Sequence, residues 1–273
     1  MGLKTFVITI IFTSISFPQM DPGAKQIALS YSDVALTNDV FGLFNNPASL
    51  AKINLRQAGV YYSPAPFGFT EMANGYIAYN EPFNWGSLAV GGMSYGFELY
   101  KENKILVGSS YNYKDKFLIG ITLNYHSVNI KNYGSANSFY FNVGGIVPIS
   151  DFISWGFSVH NLNRATLGKE KDQIPTVLKT GFNFSAIENI SLNAAIEKDI
   201  LQETSLLFGI NYDIIKYISL RTGFSNEPSR FTAGIGINYS FFTLDYAVFT
   251  HPDLGLTHQA GLIISFEKEN IEK

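Results

Sequence analysis

Residues 230–240 read RFTAGIGINYS, and the same strict alternation recurs along most of the chain. Phe231, Ala233, Ile235, Ile237 and Tyr239 fall on one face of an extended strand, and Thr232, Gly234, Gly236 and Asn238 on the other. Period two is the pattern of a strand with one apolar face. The constraint on the fold lies in what shares each face: aromatic and branched side chains on one, glycine and small polar groups on the other. A soluble sheet turns the bulky face inward to a dry core. A membrane barrel turns it outward to lipid and keeps small polar groups inside.

The composition favours the barrel. Charged residues are 15% of the 273 positions, and aromatics are also 15%. An ordinary globular domain has roughly 25% charged residues. After the first twenty residues no apolar run approaches the ~20 needed for a membrane helix, so the apolar surface is dispersed through short alternating segments. A net charge of -3 gives no footprint for nucleic acid. The absence of cysteine excludes disulfides, thiol catalysis and zinc–thiolate sites.

The N-terminus carries Lys4, the apolar run FVITIIFTSISF, and Ser14 and Ser16 just before Phe17. This is the layout of a secretory signal peptide, and a cysteine-free strand protein that is exported suits a Gram-negative-type envelope. No composition break divides the rest. The predicted organisation is a signal peptide over 1–16, an N-terminal plug or hatch over 17–54, an outer-membrane β-barrel over 55–266 and a periplasmic tail over 267–273.

Alternation and turn residues place strands at 55–62, 72–80, 86–95, 104–113, 116–129, 138–147, 152–162, 176–184, 190–198, 204–212, 217–225, 230–240, 242–249 and 258–266. The predicted fold class is all-β: a transmembrane antiparallel barrel of about 14 strands preceded by a plug. Gly75, Gly91 and Gly92 blur the pattern and read as bulges. Connections after even-numbered strands are tight, and those after odd-numbered strands, such as 63–71, 96–103, 130–137, 163–175 and 250–257, are longer. Short periplasmic turns and long outer loops are the habit of outer-membrane barrels, which puts both termini in the periplasm. The last strand, with Gly261, Ile264 and Phe266 in a polar-x-Gly-x-x-apolar-x-aromatic order, resembles the signal read by the barrel assembly machinery. That machinery and outer-membrane lipids are the first expected partners.

Residues 17–54 lack strand alternation and include Phe41, Leu43, Phe44 and Leu50, which would aggregate if left in solution. Folding them into the barrel mouth buries them. Asn45-Asn46-Pro47 is a turn or helix-start signal, because the residue before proline is pushed out of the helical region and proline suits a first helical turn.

The string Asn46-Pro47-Ala48-x-Leu50-Ala51 resembles the NPA motif in the hatch of the FadL family of fatty-acid channels and their PorV/PorQ relatives. Residues 28–39, ALSYSDVALTND, keep the ends of the PorV/PorQ run ALGGAxVALADD and lack its Gly-Gly-Ala centre. Leu220-Arg221-Thr222-Gly223-Phe224, Leu244-Asp245-Tyr246-Ala247 and Leu254-Gly255-Leu256-Thr257-His258 resemble the LRxGY, LDYAF and LGxTH elements of that group. Gly209-Ile210-Asn211-Tyr212 matches a Gly-x-Glu-Tyr string without the acid. The resemblance implies a fourteen-stranded barrel with a plug and a role accessory to type IX secretion, with secretion-system proteins or exported cargo as partners. The FadL side of it implies a channel for small hydrophobic molecules.

Four charges fall on small-polar faces: Lys179 and Glu197 on neighbouring strands, Arg221 and Asp245 two strands apart. Facing lipid near the midplane each would cost about 2–4 kcal/mol, so a luminal position is expected. They serve either as structural ion pairs that pin the plug or as a ligand path. Asn45, Asn46, Pro47 and Ala48 form the candidate plug motif, with the same two readings. His126 and His160 project inward, and His251 and His258 flank an outer loop; none has metal-site spacing. No nucleophile elbow, phosphate loop or dinucleotide fingerprint occurs. The expectation is a non-enzymatic protein without cofactor or metal. The apolar outer loop at 63–69 and the charged one at 163–175 are candidate partner contacts.

Overall fold

A computed structural model describes residues 21–36, 39–168 and 171–266. The expected signal peptide and the tail 267–273 lie outside these residues. The chain runs α1 (Ala24–Ala28), α2 (Gly42–Asn45), a 3-10 helix (Pro47–Lys52), β1 (Arg56–Ser63), β2 (Asn74–Phe83), β3 (Gly86–Phe97), β4 (Tyr100–Tyr113), β5 (Phe117–Ile130), β6 (Gly134–Pro148) and β7 (Ile153–Val159). Two short strands, β8 (Thr166–Leu167) and β9 (Asp172–Gln173), pair within a loop. Then come β10 (Val177–Ile187), β11 (Ile190–Asp199), β12 (Thr204–Ile215), β13 (Ile218–Asn226), β14 (Ser229–Tyr239), β15 (Phe242–His251) and β16 (Gly255–Phe266).

Apart from β8 and β9, the strands form one closed antiparallel barrel of fourteen, sealed where β1 pairs with β16 from Arg56↔Phe266 to Tyr62↔Ala260. Closure leaves no unpaired edge, which is what allows strands to cross hydrocarbon. All fourteen segments expected from alternation are strands.

The faces resolve as a membrane barrel requires. Ile77, Ile105, Phe139, Phe182 and Phe231 expose 52–63% of their surfaces on the outside. Thr232, Asn124, Asn142 and Ser219 are buried inside. An apolar exterior this continuous far exceeds the patches a soluble monomer tolerates.

On β4–β6 the outward row Ile105, Tyr125 and Phe139 is the last apolar one; the rows beyond it are Asn103, Ser127, Asn137 and then Lys101, Asn129, Ser135. These strands therefore continue past the apolar band into water. At the opposite rim an Arg56–Glu81 ion pair at 2.9 Å closes the band.

Two expectations need correction. Loop-length asymmetry survives in only two connections, 64–73 and 160–176. The expected loops at 96–103, 130–137 and 250–257 are mostly strand, with the chain reversing at 98–99, 131–133 and 252–254. Gly75, Gly91 and Gly92 are also not bulges, since β2 and β3 pair without a register shift from Asn74↔Tyr95 to Phe83↔Gly86.

Residues 21–36 and 39–53 fill the middle of the barrel. Phe41, Leu43, Phe44 and Leu50 are at most 6% exposed and pack with Tyr61, Tyr76, Met93, Leu106 and Phe249 of the wall. The plug divides the interior into two spaces, one at the tight-turn end and one at the loop end.

Candidate functional site

The plug seats on glycines. Gly59, Gly91, Gly108, Gly120, Gly144, Gly156, Gly209, Gly223 and Gly234, each on a different strand, face it so closely that a Cβ would collide. At Gly120 the Cβ would stand 2.3 Å from the Pro47 carbonyl carbon, and at Gly156 2.4 Å from the Val34 oxygen. Their absent side chains are what let the plug backbone lie against the wall. Sequence reasoning missed this belt, although the inward glycines were its signal.

The Asn45-Asn46-Pro47-Ala48 motif sits against this belt. Asn46 is extended at φ -140°, and its side chain caps the 3-10 helix by accepting from Ala48 N–H at 3.1 Å, with Pro47 in the first turn. Asn46 Nδ2 also donates to the Val34 carbonyl at 2.6 Å, tying two plug segments together. Asn45 works outward. Its Nδ2 donates to Asp33 at 3.1 Å, its Oδ1 accepts from Lys179 Nζ at 3.3 Å, and its carbonyl accepts from His160 Nε2 at 2.8 Å. Lys179 in turn meets Glu197 at 2.8 Å and lies 5.4 Å from the Tyr31 ring centroid. One asparagine thus joins the plug to β10 and β11. Burial pushes the Asp33 carboxyl above its ordinary range, with Lys179 pulling the other way.

Arg221 and Asp245 meet at the tight-turn end. They are two strands apart, and Gly236 on the strand between them leaves the space: a Cβ there would lie 2.5 Å from the guanidinium. Arg221 Nη1 donates to Asp245, and its Nε donates to Asn211 at 2.9 Å. Asn211 and Ser219 both donate to Asp213. With Lys25 and Asp39 from the plug these residues line a polar chamber of about 250 Å³.

A cavity of about 900 Å³ lies on the other side, toward the loops. Phe44 of the plug forms part of its floor, and Tyr61, Tyr76, Tyr95, Tyr100 and Leu106 form one wall. The rings meet edge to face, Phe44–Tyr76 at 5.3 Å and Tyr61–Tyr76 at 5.6 Å, the arrangement aromatic quadrupoles prefer. Lys179, Glu197 and His160 face it from β10, β11 and the end of β7. Between β4 and β5, His126 Nε2 contacts Glu102 at 3.0 Å.

Both long loops reach this cavity. The 64–73 loop folds over the mouth, where Phe67 packs on Phe249 at 5.7 Å and on His251 at 5.3 Å. The 160–176 loop is organised by Asn161, which donates to the Ala165 and Ile174 carbonyls and contributes Leu167 and Ile174 to the lining. His258 instead faces outward, bonded to the Tyr246 hydroxyl.

Gly261 lies under Phe41 of the plug, Ile264 pairs with Ala58 and Phe242, and Phe266 ends the last strand opposite Arg56. Among the described residues no group of three His, Asp or Glu side chains is placed to hold a metal ion.

No family model and no curated protein matches the sequence. Solved structures do match the fold. The monoaromatic hydrocarbon channel CymD superposes with a TM-score of 0.70 over 93% of this chain and 100% of its own, at 10% identity. The toluene transporter TodX of P. putida gives 0.70 over 90% and 99%, at 12% identity. A FadL homologue of Pseudomonas aeruginosa gives 0.57 over 89% and 97%, at 12% identity. These neighbours are transport proteins, not enzymes, and the chain shares the fold of FadL-type barrels.

Proposed function

We propose that the protein is an outer-membrane channel that takes small hydrophobic molecules into the cavity between plug and outer loops, with both termini periplasmic. The observation that carries this reading is the cavity itself. At about 900 Å³ it is of ligand size, and its aromatic wall continues the plug's own apolar cluster. Structural neighbours described as hydrocarbon channels and toluene transporters support it.

Among the described residues no strand is kinked at mid-wall to open a lateral path: the two register shifts, at Phe184/Ile187 and Asp213/Ile215, sit beside tight turns. The wall is weakest at the β6–β7 seam instead, where the strand ladder covers only Val143–Pro148 and the 160–176 loop takes over above it. The test is titration of nanodisc-embedded protein with a lipophilic fluorescent probe. Saturable binding, reduced about tenfold (~1.4 kcal/mol) when Leu106→Trp fills the cavity, supports the channel; a titration matching empty nanodiscs removes it.

A second reading, a PorV/PorQ-type accessory of type IX secretion, is favoured by the Leu244-to-Ala247 and Leu254-to-His258 strings. Part of that likeness has a structural explanation, because Arg221 and Asp245, the charged residues of two such strings, form one internal ion pair. Unchanged secretion of cargo after gene deletion would remove this reading.

A further inference from the structure

The charges facing the loop-side cavity are unequal, and the two cations among them are already engaged. Lys179 is held by Glu197, Asn45 and the Tyr31 ring. Lys104 stands in register with His126, beside the His126–Glu102 pair. Arg230, at the start of β14, lies outside the lining and covers the Phe249 ring at 4.7 Å. The acids are less committed. Asp21, Asp172 and Asp199 also line the cavity, and none makes an ion pair among the described residues. Asp199 receives one backbone N–H, from Leu201. Asp21 is fixed at the plug's entry by the Tyr31 hydroxyl, which donates to its main-chain carbonyl at 2.7 Å and leaves the carboxylate to the cavity.

Carboxylates that make no ion pair among the described residues, above a wall of tyrosine and phenylalanine rings, suit one ligand chemistry. The ring faces attract cations, and an excess of acids over cations in the lining repels anions while welcoming ammonium groups. A ligand carboxylate would have to displace Glu197 from Lys179 and leave that half-buried acid without its partner, beside a second anion, which is costly. We propose that the cavity selects amphiphiles that carry a positive charge on an apolar or aromatic body, and discriminates against fatty-acid-like anions. The inference rests on the channel reading and names the substrate class for that site.

The test is calorimetric titration of nanodisc-embedded protein with three probes of one shape: 4-phenylbutylammonium, 4-phenylbutanol and 4-phenylbutyrate, with empty nanodiscs as the blank. The expected order is ammonium, then alcohol, then carboxylate, with the two ions separated by roughly tenfold or more, a difference of ~1.4 kcal/mol. Asp21→Asn should bring the ammonium-to-alcohol ratio toward one, with intact folding read from heat-modifiable migration in gels. Alcohol binding accompanied by equal or tighter carboxylate binding overturns the charge preference and leaves the channel standing. An ammonium-to-alcohol ratio unmoved by Asp21→Asn also overturns it. Silence from all three probes overturns both readings.

Discussion

The plug separates two spaces that the same period-two code builds in opposite ways. At the tight-turn end, inward positions of β12–β15 carry Asn211, Asp213, Ser219, Arg221 and Asp245, and the result is a small polar chamber whose groups satisfy one another. At the loop end, inward positions of β1–β4 carry Tyr61, Tyr76, Met93 and Leu106, and the result is a larger cavity with an aromatic wall. In the chamber Arg221 pairs with Asp245, and Asp213 and Asp39 each accept two or more hydrogen bonds from neighbouring groups. In the cavity Asp21, Asp172 and Asp199 make no ion pair among the described residues, and these acids with the ring faces are where a ligand finds free energy.

The comparison is broken most directly at Arg221. If the chamber is structural, Arg221→Leu leaves Asp245 buried without a partner, and breaking such a pair costs about 3–5 kcal/mol. The double variant Arg221→Leu/Asp245→Leu should recover much of that loss, because it removes the stranded charge as well. Urea unfolding in detergent, followed by gel migration, reads both. A single variant as stable as the parent would show that the pair does not hold the wall, and the chamber would have to be reconsidered as a solute site.

The next effect tests the boundary between the two spaces. Gly120→Val drives a side chain into the Pro47 backbone, and overpacking of this kind costs about 1–3 kcal/mol or more. The plug should become cleavable by added protease while the barrel survives. Gly92→Val is the matched control: its Cβ would meet nothing nearer than 3.6 Å on the lipid-facing side, so a change within about 0.5 kcal/mol is expected. Equal protection of the plug in both variants would refute the seating role of the inward glycines.

Most of the wall was legible because hydrocarbon demands an apolar residue at every second position, and that demand writes itself into the sequence. Where the demand stops, the pattern stops too. Strands β4–β6 continue above the last apolar row, yet Lys101, Asn103, Ser135 and Asn137 on their outer face look like loop residues. Hydrogen bonding carries these strands on, and it leaves no mark in composition.

The inward placement of Lys179, Glu197, Arg221 and Asp245 followed from the cost of charge in lipid. Their partners were less accessible, since Gly236 matters only once β14 lies between β13 and β15. The aromatic wall was hidden for a related reason: adjacent Tyr61 and Tyr62 fit either face, and only the register puts Tyr61 inside and Tyr62 outside. A glycine in a strand shows no face at all, which is why Gly91 read as a bulge before Phe44 was seen against it.

The smallest expected effect weighs the plug's two faces against each other through pH. Asp39 lines the polar chamber and accepts from Gln26 and from Phe41 N–H. Asp33 accepts from Asn45, beside Lys179 at the cavity floor. Burial raises both carboxyls, against Lys25 for Asp39 and chiefly Lys179 for Asp33. An undocked plug titrates near the ordinary aspartate value of about 3.9, so the docked plug holds its protons to higher pH. Docking is therefore fully supported below that value and loses support as pH rises through the raised values. The chain has no cysteine, so a fluorophore on Leu36→Cys reports plug release by urea without interference. The release midpoint should fall as pH rises from acid to neutral. Asp39→Asn should remove the chamber's share of that slope and Asp33→Asn the cavity's share. A midpoint that climbs with pH would mean the charged carboxylates hold the plug, and that Lys25 and Lys179 outweigh the cost of burying them.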